Sequence, residues 1–130
     1  MVDIDTLFEM LDWNASEAVQ AEGRKIASQV KCYDVFLQPK IGKGVWDNCA
    51  LILSQKSDKE LEPLVPDMLE WIADMNWPGA EHIWNRLLLY KSHEWLRHCL
   101  EDAIQKSTGY DNCWLVMLQE FKREYELRQK

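Results

Sequence analysis

The chain has 130 residues, 47% hydrophobic and 28% charged, the proportions of one soluble globular domain able to bury its own core. Its formal net charge of −7 argues against nucleic acid or an anionic membrane surface as a partner, because both demand a basic footprint, and leaves a basic protein as a compatible one. The opening "MVDIDTLFEM" lacks a positively charged leader, and nothing approaches the roughly 20 apolar residues of a membrane span, so a cytoplasmic protein is expected. Cys32, Cys49, Cys99 and Cys113 form no C-x-x-C pair and read as four reduced thiols.

Taken in order, nearly every segment has helical periodicity. Asp3 or Asp5 is expected to cap a first helix through Leu7, Phe8 and Leu11, and Ser16 a second through Val19, Gly23, Ile26 and Val30. A short helix over "YDVFLQ" and another from near Val45 follow. "LEPLVPDMLEWIADM" then sets Leu61, Leu64, Val65, Met68, Leu69, Ile72 and Met75 on one stripe, with Pro63 and Pro66 tolerable only near its start. In "PGAEHIWNRLLLY" the pattern puts Ala80, Ile83, Trp84, Leu87 and Leu88 on one face, with Pro78 at the first helical position. "SHEWLRHCLEDAIQKS" should be capped by Ser92, bury Leu96, Cys99, Leu100 and Ala103, and stop at Gly109. A last helix runs from Asp111 to about Leu127 with Cys113, Met117, Phe121 and Tyr125 along one side. No alternating strand pattern competes with these, and the expected class is all-α.

The helices also repeat. "WDNCALIL" at 46–53, "WPGAEHIW" at 77–84 and "YDNCWLVM" at 110–117 each open on an aromatic residue. Each then places a small residue three positions on (Cys49, Ala80, Cys113), a β-branched residue three further (Ile52, Ile83, Val116) and a large apolar one next. The aromatic would staple the turn, the small residue admit the paired helix, and the larger ones fill the space between neighbours. Repetition on this scale signals stacked helical pairs, here about four hairpins with an atypical first one.

Within this pattern, "LEPLVPDMLEWIADMNWPGA" at 61–80 resembles the signature of a small bacterial HEAT-like helical-repeat family of unknown function. The matching positions are Pro63, Pro66, Leu69, Glu70, Trp71, Asp74, Met75, Asn76, Trp77 and Pro78, and the likeness extends to about residue 118. It implies a HEAT-like α-α superhelix and a role like that of immunity proteins, which bind and neutralise a toxin. It brings no catalytic residues.

Motifs for chemistry are weak. His93 and His98, five apart, point about 140° away from each other on a helix, so they share no ligand face, and Cys99 falls on the apolar stripe. Cys49 and Cys113, at matched repeat positions, read as packing residues rather than as a duplicated nucleophile. "KIGKGVW" has glycines and two lysines but not the phosphate-loop frame, and reads as an inter-repeat turn with Lys40 and Lys43 as contact residues. Glu60, Glu62, Asp67, Glu70 and Asp74 form a solvated face, and Asp47 and Asp111 should cap their helices. No cofactor and no metal is expected.

The sequence thus points to a non-enzymatic domain that binds another protein, a basic toxin being the candidate partner. Asp47, Asn48, Glu81, Asn85, Asp111 and Asn112 would supply polar groups on a concave surface, and Trp71, Trp95 and Trp114, at the edges of their stripes, would anchor the contact. The alternatives are an enzyme or nucleic-acid module on the same scaffold, such as a base-excision glycosylase with a basic groove, and a small-molecule sensor with an aromatic pocket lined by Trp71, Trp77 and Trp84.

Overall fold

Two side-chain caps set the first hairpin, as the sequence suggests. Helix α1 (Ile4–Leu11) begins where Asp3 Oδ1 accepts the Thr6 N–H at 2.8 Å, and α2 (Glu17–Ala27) where Ser16 Oγ accepts the Val19 N–H at 3.2 Å. Gly23 lets the two helices touch, since a Cβ there would stand 3.0 Å from Met10 Cβ. The structure, a computed structural model, describes residues 3–31, 33–107 and 112–129, with Asn112 described through its backbone alone. Cys32, Gly109, Tyr110 and Asp111 therefore lie outside the described residues, as does the side chain of Asn112.

Tight 3-10 turns at Tyr33–Phe36 and Lys43–Val45 lead into α3 (Trp46–Ser54). Next comes α4 (Asp58–Leu61), opened by a capping box in which Ser57 and Glu60 satisfy each other's backbone N–H groups. The stripe over 61–75 is not one helix. Pro63 enters a 3-10 turn at Glu62–Leu64, and α5 (Val65–Trp71) starts afresh with Pro66 in its first turn. Leu61, Leu64, Val65, Met68, Leu69 and Ile72 are buried along it as expected. Met75 is not, because α5 ends at Trp71 and Asp74 Oδ1 accepts the Asn76 N–H at 2.9 Å, folding 74–77 into a turn.

Helix α6 (Ala80–Leu88) starts two residues later than its proline suggests. The residue at its head is Gly79, held at φ +85°, where an added Cβ would meet Ala50 Cβ at 2.6 Å and the Trp46 carbonyl at 2.7 Å. The start of α6 can lie directly on α3 only because that position has no side chain. α7 (His93–Ser107) follows Ser92 and buries Leu96, Cys99, Leu100 and Ala103; α8 (Asn112–Arg128) completes the chain. No strand occurs among the described residues.

The packing pairs α1 with α2, α3 with α6, α5 with α7 and α7 with α8, and α6 also touches α8. The first two copies of the repeat are equivalent in depth: Cys49 and Ala80 are fully buried, and so are Ile52 and Ile83. The third departs, with Cys113 and Val116 exposed. Phe121 and Tyr125 of α8 are buried as expected, but in its first turns the buried row runs one residue later, through half-buried Trp114 and buried Leu118 in place of Cys113 and Met117.

A second set of contacts ties the connections to the helices. Arg86 Nη2 donates to Asp58 Oδ1 at 2.5 Å and to the Lys56 carbonyl at 3.0 Å, while Asp58 Oδ2 accepts the Lys91 N–H at 3.0 Å. One guanidinium thereby fastens the α3–α4 connection to the end of α6. The Lys91 N–H and Arg86 together outweigh burial and hold the Asp58 carboxyl below its ordinary value.

Candidate functional site

Five of the seven tryptophans have a common structural task, while Trp13 is exposed. A helix leaves its last carbonyls without partners, and turns leave others, so a buried indole N–H finds acceptors there. Trp46 Nε1 donates to the Pro39 carbonyl at 2.9 Å, Trp71 to Pro78 at 3.1 Å, Trp95 to Glu62 at 2.9 Å and Trp114 to Leu69 at 3.0 Å. Trp84 donates instead to Glu124 Oε2 at 3.1 Å and packs edge-on against Phe121. Each indole pins a turn, a helix end or a neighbouring helix. Trp77 is different: its ring packs edge-on against Trp46 at 5.9 Å, yet its N–H has no acceptor among the described residues.

Trp77 lines a groove of about 730 Å³. One wall is the turn 73–77, including Asp74 and Met75; the other is the first turns of α8, through Cys113, Trp114, Val116 and Met117. Met75 is 36% exposed and Val116 49% exposed, so the apolar lining is open to solvent. The groove exists because α5 stops at Trp71 and because α8 points Trp114 inward onto the Leu69 carbonyl, leaving the next residues facing out.

Trp114 is also a wall of a smaller slot of about 110 Å³, lined by Asp67, Glu70, Asp102 and Lys106 between α5 and α7. Lys106 Nζ stands 3.0 Å from Asp102, and that carboxylate raises the lysine's pKa first, with Glu70 and Asp67 adding to it. Neither Asp67 nor Glu70 belongs to an ion pair among the described residues. An open apolar trough thus adjoins a slot with surplus negative charge.

Of the nine residues predicted from sequence, Trp114 is the only one among the described residues that lines this groove. Trp71 was expected at an exposed edge but is completely buried, under Gly79 and against Trp46, because it plugs the α5–α6 turn. Asn48 is also buried. Its Nδ2 donates to the Leu11 carbonyl at 2.7 Å and to Gln20 Oε1 at 3.0 Å, and its Oδ1 accepts from Arg24 at 2.8 Å, which ties α1, α2 and α3 together. Both are supports of the fold rather than contact residues. Trp95 is half-buried, stacked on His98. Asp47, Glu81 and Asn85 are exposed on the adjacent helices α3 and α6, where Asp47 faces His82 Nε2 at 3.4 Å. Asp47 does not cap α3, which begins one residue earlier without a side-chain cap. Asp111, and the side chain of Asn112, are outside the described residues. The residues missed, Met75, Trp77, Val116 and Met117, were read as stripe or staple positions, and the exposed turn of α8 was not visible in the periodicity.

The trio Trp71, Trp77 and Trp84 encloses no common pocket: Trp71 is solidly packed and Trp84 lies against Phe121. The histidines scatter likewise, His82 to Asp47, His98 to Trp95 and His93 to Tyr125. Tyr125 donates its one proton to the Tyr90 carbonyl at 2.7 Å, so His93 must donate to the Tyr125 oxygen through Nδ1–H, which fixes its tautomer. Among the described residues no group of three or more His, Cys, Asp or Glu side chains could hold a metal ion. Burial pushes the Cys49 thiol up to about 12; for Cys99, burial aided by Asp102 brings it to about 11. Both thiols stay protonated at neutral pH and offer no thiolate.

These features define an all-helical domain with an exposed aromatic and methionine-lined groove; no described helix is long and apolar enough to cross a membrane. The chain matches the family described as Domain of unknown function (DUF5071) over residues 42–129, well over half its length, and belongs to that family. The matched stretch contains both walls of the groove and excludes α1 and α2. Neither the characterised proteins nor the solved structures include a match.

Proposed function

We propose that this chain is a non-enzymatic protein-interaction domain, a HEAT-like stack of helical hairpins that binds a basic protein toxin and neutralises it by occlusion. The observation that carries the reading is the groove itself: exposed Met75 and Val116 beside Trp77 and Trp114, next to surplus carboxylates. Tryptophan and methionine are over-represented where surfaces adapt to a protein partner, and exposed apolar troughs rimmed by charge are where such partners dock. The chain's charge of −7 would speed encounter with a basic protein. Contact between successive motif-bearing helices, α3 with α6 and α6 with α8, supports the stacked reading. The toxin part rests on the resemblance of residues 61–80 to immunity-like domains.

The test is co-purification from the native host at low and moderate salt, with the retained protein identified and its toxicity measured with and without this domain. Retention of a basic protein whose toxicity the domain suppresses is the expected result. Retention of no protein, together with unchanged growth after a charge reversal at Asp67 and Glu70, removes the reading.

A further inference from the structure

Resting on the protein-binding reading, we infer that the occupant of the groove is an amphipathic, basic segment of the partner, with apolar side chains between Met75, Trp77, Val116 and Met117 and a lysine or arginine reaching past Trp114 into the slot of Asp67, Glu70 and Asp102. The trough, at about 730 Å³, takes several aliphatic side chains, whereas the slot, at about 110 Å³, takes only something slender. A lysine or arginine stem is slender and ends in a positive charge, which offsets the carboxylates that Lys106 leaves in excess. Lys106 neutralises Asp102, leaving Asp67 and Glu70 as acceptors for a second cation. Trp114, common to both cavities, offers a ring for that stem to cross, where a cation over an indole gains further attraction. Trp77's indole N–H, without an acceptor among the described residues, is placed for a backbone carbonyl of the docked segment. An acidic segment of the same apolar pattern would meet like charge at the slot and be rejected.

The experiment uses two labelled helical peptides of about five turns, identical in a leucine stripe and differing only in a lysine or a glutamate polar face. Binding to the full chain is followed by anisotropy across a salt series. The lysine peptide should bind at least about tenfold tighter than the glutamate peptide, and Val116→Glu or Met75→Glu should each weaken it about tenfold. Asp67→Asn with Glu70→Gln should weaken it about fivefold and flatten its salt dependence. Asp5→Asn with Glu22→Gln, the same charge change at the α1–α2 hairpin, should leave it unaltered. Equal binding by Val116→Glu, or equal effects of the two charge-removing pairs, overturns the inference. So does a wild-type dimer in sedimentation that Val116→Glu converts to monomer, because the groove is then filled by a second copy. Circular dichroism of Val116→Glu checks that the helices persist. If a host toxin is retained equally by wild type and Val116→Glu, the groove inference fails while the protein-binding reading stands; if the peptides behave as expected but the host yields no partner, the toxin reading fails and the peptide-docking surface stands.

Discussion

One motif has two outcomes in this molecule. At the α3–α6 contact, two copies face each other and close: Trp46, Trp71 and Trp77 interlock, Gly79 removes the last obstacle, and Cys49, Ala80, Ile52 and Ile83 vanish from solvent. At the start of α8 the third copy stays open, with Cys113 and Val116 exposed beside Met117. The four motif positions barely differ in type, but the residue after the small one is Ala50, Glu81 and Trp114 in turn. What differs is which of them the neighbouring helix claims, since Trp114 turns inward to the Leu69 carbonyl and rotates the motif positions outward. A repeat pattern reports which residues are able to pack, not which of them have found something to pack against.

The sharpest break in the comparison is at Gly79. Gly79→Ala forces a side chain into positive φ and against backbone, and should cost about 4 kcal/mol in chemical denaturation. A smaller contrast sets matched positions against each other: Ile83→Ala should cost about 3 kcal/mol, whereas Val116→Ala should stay within about 0.5 kcal/mol. An equal cost at both sites would mean that the third copy is closed too. Smaller again, Trp71→Phe loses the bond to Pro78 and should cost about 1.5 kcal/mol, while Trp77→Phe, with no such bond to lose, should cost about half as much.

The smallest effect is one of pH, away from both regions. Hydrogen bonds from Tyr33 first, then the Ser57 backbone and hydroxyl, hold the Glu60 carboxyl down at about 2, against 4.5 ordinarily. A depressed carboxyl stabilises the folded state in full above pH 4.5 and loses that contribution as pH falls towards 2. Glu60→Gln should therefore differ most from wild type at neutral pH and converge on it only as pH falls to about 2, read from thermal unfolding at a series of pH values.

Much of the fold is legible in local patterns because caps and stripes are local. Asp3 and Ser16 cap where expected, and Leu96, Cys99, Leu100 and Ala103 are the buried face of α7. What escapes the sequence is tertiary choice. Pro78 is a good first helical residue, but the close approach to α3 makes Gly79 the head of α6. Asn48 and Trp71 have the chemistry of contact residues and are used inside, because Leu11, Gln20 and Pro78 present acceptors that nothing else meets. Among the described residues, Trp114 alone of the predicted contact residues reaches the groove. Even it is visible there only once the one-residue shift in the first turns of α8 is known.

The aromatic cluster has an optical consequence. Trp46 lies 6.0 Å from Trp71 and 5.9 Å from Trp77, close enough for excitation to pass among the three rings. Two of them are tied down by hydrogen bonds, and the third faces the groove. Light absorbed in the rigid interior can thus be emitted from Trp77, whose surroundings, like those of Trp114 on the opposite wall, change when the groove fills. The domain carries its own occupancy gauge: a shift in tryptophan emission that Trp77→Phe diminishes, the remainder coming from Trp114, would report docking without any label.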